Sequence, residues 1–126
     1  MKLAPNFDSS EFFVSSSYPD LVDDWDSVDG GVQVNLRLLA QRLQVIRDQW
    51  GPINITSGYR GPKLNKAVGG AENSRHTKGL AADIVFLNPL IDIADVAKDL
   101  ARWHGGFHYY PNDGFIHVDI GPYSRW

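Results

Sequence analysis

Three side chains able to hold a metal ion stand at informative places: His76 and Asp83, seven residues apart in SRHTKGLAADIVF, and His117 in GFIHVDIG. Asp83 interrupts an apolar run, where a charge is costly unless it is paired or coordinates a cation. Two imidazoles and a carboxylate make a three-ligand zinc set with one position left open, as a catalytic site requires. Each residue alone has a plainer explanation. A histidine in a strand is commonly a hydrogen-bonded core residue, and a buried aspartate commonly caps a turn or pairs with arginine. Spacing by itself does not separate these readings.

Strand alternation adds to the case. In FIHVDI, Phe115, His117 and Asp119 fall on one side and Ile116, Val118 and Ile120 on the other. In LAADIVF, Asp83 shares its side with Ala81 and Val85. Two strands are therefore expected to present ligands from one sheet face, with His76 arriving from the loop before, and small Ala81 and Ala82 leaving room beside the carboxylate. Arg60, Lys63, Lys66, Arg75 and Lys78 gather around these residues, with Glu72 among them, in a chain of net charge -3. This local reversal of sign favours an anionic substrate, and Arg60 is the best bidentate clamp for a carboxylate. A merely solvated loop face suits Lys63 and Lys66 better.

The elements that must position these groups follow from pattern. FDSSEFFVS reads as a short helix, with Asp8 as N-cap and Glu11 in capping-box spacing. PDLVDDWDSVDGG, with five aspartates, reads as a solvated acidic loop, since its spacing is not that of a calcium-binding EF-hand. From Val32 to Trp50, apolar residues recur in steps of three and four, which predicts a core helix ended by Gly51-Pro52. INIT and LAADIVF read as strands, and the long turn-rich stretch between them as a functional loop. IDIADVAKDLARW predicts a second core helix. GGFHYY and GFIHVDIG flank PND and predict a hairpin. The sum is an α+β fold, a mainly antiparallel sheet with helices packed on one face and the site on the other.

At 126 residues the chain is expected to form one domain, 1–126. Its mild acidity argues against nucleic acid as a partner, and no segment has membrane-spanning length. No cysteine is present, which excludes disulfides, a thiolate nucleophile and sulfur ligands. The N-terminus lacks the apolar run of a signal peptide, so synthesis in a cytoplasm is expected. A monomer is expected.

Three blocks, SGYRGPKLNKAVGG, SRHTKGLAADI and YYPNDGFIHVDIG, resemble the zinc D-Ala-D-Ala carboxypeptidase and L,D-endopeptidase family of peptidoglycan hydrolases. The likeness is nearest to its small bacteriophage and prophage branch, and extends to NFDSSEFFVS at the start and GPYSRW at the end. The resemblance implies Zn2+ held by His76, Asp83 and His117, with Arg60 on the substrate carboxylate or the transition state. It places Ser74 in the site block, shaping it rather than reacting. In several branches an acid or base stands three residues before the last histidine, where this chain has Gly114. Asp113, Asp119 and His108 are then the candidates for that role, Asp119 also as an orienter of an imidazole and His108 also as a substrate contact. The implied activity is metal-assisted hydrolysis of an amide in peptidoglycan stem peptides or cross-bridges, in an endolysin that reaches the wall once the membrane is permeabilised. The alternative is a non-catalytic zinc-containing binding or virion module of the same fold.

Overall fold

The computed structural model describes residues 1–122, 124 and 125; Tyr123 and Trp126 of the closing GPYSRW segment lie outside the described residues. The apolar three-four spacing forms α1 (Gly30–Trp50), begun by Asp29, whose side chain accepts a hydrogen bond from Val32 N at 2.9 Å. Leu36, Leu39, Ala40 and Leu43 of α1 are completely buried. Each such leucine contributes about 1.5–3 kcal/mol relative to exposure.

Against this helix lies a five-stranded sheet. Its strands are β3 (Ile53–Ser57), β4 (Ala81–Phe86), β5 (Gly106–Tyr110), β6 (Phe115–Asp119) and β7 (Ser124–Arg125), in the order β3-β4-β6-β5-β7. The first three pairings, β3 with β4, β4 with β6 and β5 with β6, are antiparallel. The last is not: β7 runs parallel to β5, so the sheet is mixed rather than antiparallel throughout. Arg125 fastens this edge by donating to the carbonyls of Gly105, Trp103 and Ala101. Ile53, Ile55, Ala82, Ile84, Phe107, Ile116 and Val118 join the α1 leucines in one core, together with Val96, Leu100 and Trp103 from α3 (Ile93–Asp99) and the turn after it.

Three expectations need correction. FDSSEFFVS forms the expected short helix only in part. It gives β2 (Phe7–Asp8), paired with β1 (Lys2–Ala4), and then a single 3-10 turn, Ser9–Phe12. The Asp8–Glu11 capping box does form, but burial of Phe7, Phe12 and Phe13 overrides propagation of so short a helix. The stretch between INIT and LAADIVF is not all loop: it holds α2 (Pro62–Ala67), opened by proline, and a 3-10 turn at Arg75–Lys78. Ala82 faces the core, not the site, so its small size serves packing against the helix layer, and only Ala81 lies beside Asp119. Among the described residues no helix is long and apolar enough to cross a membrane.

Candidate metal centre

Register builds the site. Asp83 on β4 lies directly opposite His117 on β6, and His117 directly opposite His108 on β5, so the three form one row across the sheet. β3 extends that row through an irregularity. Ile55 pairs with Ile84, yet Ser57 pairs with Asp83, so β3 carries one extra residue there. The bulge turns Ser57 from the core side, where unbroken alternation would put it, to the polar side. There its hydroxyl accepts from Arg60 Nε at 3.2 Å.

His76 enters from the Arg75–Lys78 turn, which Ser74 caps by accepting from His76 N at 3.3 Å. Two further bonds stitch this turn to the SGYR segment. Arg60 N donates to the His76 carbonyl at 3.0 Å, and His76 Nδ1 lies 2.8 Å from the Gly58 carbonyl. A carbonyl only accepts, so His76 carries its proton on Nδ1 and turns the lone pair of Nε2 toward Asp83 Oδ1, 3.4 Å away. His117 is arranged in the opposite sense. Its Nε2 faces Asp119 Oδ2 at 2.9 Å, and its Nδ1 faces the same Asp83 Oδ1 at 3.1 Å. With Nε2 donating to Asp119, Nδ1 presents a lone pair as well.

Three acceptors thus converge, one each from His76, Asp83 and His117, all within 4.8 Å of one another. They repel unless a cation lies among them. A proton on His117 satisfies one pair; a metal ion satisfies all three. A tetrahedral zinc with ligand bonds of about 2.0–2.1 Å holds its ligand atoms about 3.3 Å apart, and the observed 3.1 and 3.4 Å separations fit that polyhedron. The residues present therefore fit zinc in donor type, spacing and tautomer.

Without a cation at the centre, the rings serve Asp83 as hydrogen-bond donors instead. Burial alone raises the Asp83 pKa, but hydrogen bonds from His117 and His76 and their charge hold it well below the usual carboxylate value. Burial alone lowers His117, but hydrogen bonds with Asp119 and Asp83 raise it overall. Arg60 completes the rim: its Nη2 lies 3.8 Å from Asp83 Oδ2, and Nη1 is 3.4 Å from Asn65 Oδ1. Burial lowers its pKa, and Asp83 opposes that shift. Arg60 lines a pocket of about 170 Å³ with Ser57 and Ser15, Ser16 and Ser17. A second cleft, of about 220 Å³, is lined by Ser74, Arg75, His117 and Asp119 among others.

The three candidates for proton transfer end in different places. Asp119 is completely buried. Its Oδ1 accepts from Arg75, Gly106 N and Gly121 N, and its Oδ2 meets the His117 ring nitrogen turned away from Asp83. That is the placement of an imidazole orienter rather than of a base facing substrate. Asp113 is exposed in the hairpin turn, where Gly114 has φ 72°, a left-handed conformation that glycine adopts without strain. The turn geometry thus gives Gly114 a backbone reason to stand where other branches carry an acid. His108 lies on the polar face in the same row as His117, its ring edge-on to Tyr110.

Sequence reasoning missed Ser57, Gly58, Asn65 and the inward course of Arg75. Ser57 and Gly58 fall within the SGYR block, but nothing local marks a bulge or a carbonyl that anchors a ring. Of the five basic residues read as one patch, Arg60 and Arg75 face carboxylates, whereas Lys63, Lys66 and Lys78 are exposed.

Comparison with known proteins places these residues in context. The family model described as Peptidase M15 matches residues 14–119, a span that contains His76, Asp83 and His117. The probable peptidoglycan L,D-endopeptidase MepK of Haemophilus influenzae is 37% identical over 101 residues, covering 75% of this chain and 48% of that protein. The peptidoglycan L,D-endopeptidase MepK of Escherichia coli K12 is 36% identical over 91 residues, covering 68% and 49%. The zinc D-Ala-D-Ala carboxypeptidase of Streptomyces albus G is 41% identical over 54 residues, covering 41% and 21%. The chain spans about half the length of the two MepK proteins.

Proposed function

The chain belongs to the peptidase M15 family, and we propose that it is a zinc-dependent peptidase that hydrolyses an amide bond in a stem peptide or cross-bridge of bacterial peptidoglycan. One observation carries the reading: one ring nitrogen each of His76 and His117 and a carboxylate oxygen of Asp83 converge within 4.8 Å of one another. The relatives' names supply the substrate class.

Zinc bound there supplies a Lewis acid for the scissile carbonyl and activates water near neutral pH. The protein's own groups do the rest. His76 is held by Gly58 and His117 by Asp119, so neither ring turns during the reaction. Arg60, fixed by Ser57 and Asn65, holds a substrate carboxylate or the developing oxyanion. His108, beside His117 in the same row, moves the proton from water to the leaving amine. The setting we propose is a phage or prophage lysin acting at the wall, which the motif resemblance supports.

A non-catalytic zinc module of the same fold is favoured by one feature, the absence of an acid at Gly114. Purified peptidoglycan incubated with the wild type, a chelated sample and His76→Ala separates the two. Muropeptides released by the zinc-loaded wild type alone support the peptidase, and their masses identify the bond. Release by none of the three overturns it.

A further inference from the structure

We propose that Arg75 is a positioning residue for the metal centre: through Asp119 it fixes the orientation and tautomer of the His117 ring. The inference rests on the zinc reading above and extends it to a residue outside the ligand set.

Asp119 Oδ1 is held from three directions, by Arg75 Nη1 at 2.7 Å, Gly106 N at 2.8 Å and Gly121 N at 3.0 Å. A carboxylate pinned in this way at one oxygen cannot rotate, so the other, Oδ2, stays aimed at His117 Nε2, 2.9 Å away. That contact gives Nε2 an acceptor for its proton and, once a cation sits at Asp83, leaves Nδ1 as the ligand atom. Arg75 is the charged member of the trio of donors, and charge-assisted bonds are the stronger ones. It also directly precedes His76 in the chain. The residue next to one ligand therefore anchors the other, and the two histidines are set as a unit.

The packing leaves this pair no slack. A Cβ at Gly106 would lie 2.0 Å from Asp119 Oδ2 and 2.7 Å from Arg75 Nη1. A Cβ at Gly121 would lie 2.8 Å from Arg75 Nε. The competing role is a tether, since Arg75 Nη1 also donates to the Pro122 carbonyl at 3.0 Å and so ties down the closing segment.

The test compares wild type, Arg75→Ala, Arg75→Lys and His76→Ala. Zinc affinity is measured by competition with a chromophoric chelator, coordination by the visible spectrum of the cobalt-substituted protein, and folding by the thermal midpoint in excess chelator. Arg75→Ala is expected to weaken zinc about 10- to 100-fold and to shift the cobalt bands, with Arg75→Lys recovering part of both. If Arg75→Ala lowers the midpoint in chelator but keeps wild-type zinc affinity and cobalt spectrum, Arg75 is a tether and the proposal falls. If Arg75→Ala does not fold, Gly121→Ala, which keeps the charge but crowds the guanidinium, carries the same readings with the same two outcomes. A wild type that binds no zinc, like His76→Ala, overturns the metal reading and this inference together. Wild-type binding equalled by Arg75→Ala overturns this inference alone.

Discussion

β4 and β6 carry two different chemistries on one backbone. On one face, Ala82, Ile84, Ile116 and Val118 are completely shielded from water. On the other, Asp83, His117 and Asp119 are 9%, 9% and 0% exposed. Burial therefore does not distinguish the faces. What differs is how each is satisfied. The apolar face needs only filled volume, because the attraction is non-directional. The polar face needs every donor and acceptor aimed at a partner, and an unaimed one costs about 1–3 kcal/mol. The partners that do the aiming, Gly58, Arg75, Gly106 and Gly121, come from distant points in the chain.

The sharpest break of this comparison is Asp83→Asn. It keeps shape but replaces the shared anionic ligand, so zinc binding and hydrolysis are expected to be lost. The zinc-free protein should also lose stability in urea at neutral pH, because the depressed Asp83 pKa means that the folded state favours its charge. Wild-type zinc affinity in this variant, by chelator competition, would show that the three lone pairs are not the metal site. Arg60→Ala comes next, with hydrolysis expected to fall by roughly 100- to 1000-fold, the loss typical of one oxyanion donor. Steady-state kinetics on a defined muropeptide decide its role: a fall in kcat marks the transition state, and a rise in KM alone marks a ground-state carboxylate clamp.

Ile116→Val probes the opposite face at the neighbouring residue. It removes one buried methylene from a core position that contacts no ligand. The expected cost is about 0.5–1.5 kcal/mol in urea denaturation, with zinc affinity unchanged. A change in zinc affinity as large as that of a site-face substitution would mean that the two faces are coupled through the strand, and the contrast drawn above would not hold.

The two faces also differ in how much of them the sequence reveals. Alternation along FIHVDI and LAADIVF is a local property, so it sorted His117, Asp119 and Asp83 to one side correctly. The three-four leucine spacing of α1 is local in the same way. Misreadings came from long-range terms. The small size of Ala82 suggests a place beside the site, although alternation alone assigns it to the core. Ser57 is not legible locally because its direction is set by a bulge against β4, 26 residues further along. Arg75 looks in sequence like part of a basic rim, since its carboxylate partner lies 44 residues away. The parallel β7 depends on a return path that no period encodes.

The smallest effect is expected at Asp113, and it separates two sides of the hairpin. Asp113 is exposed in the turn beyond β5, and its backbone, not its carboxylate, makes the turn's bond to Tyr110 O at 3.2 Å. Asp113→Asn should therefore change stability by no more than about 0.5 kcal/mol and leave hydrolysis within twofold of wild type. His108→Ala, in the row beside His117, should cost about 100-fold or more if His108 moves the proton. Both variants are read by the same muropeptide kinetics under saturating zinc, with zinc affinity as the control that the centre is intact. A large loss in Asp113→Asn with His108→Ala near wild type would move the proton carrier from the strand row to the turn. It would also mean that the turn closes over the metal when substrate binds, an adjustment that the left-handed backbone at Gly114 leaves room for without a steric penalty.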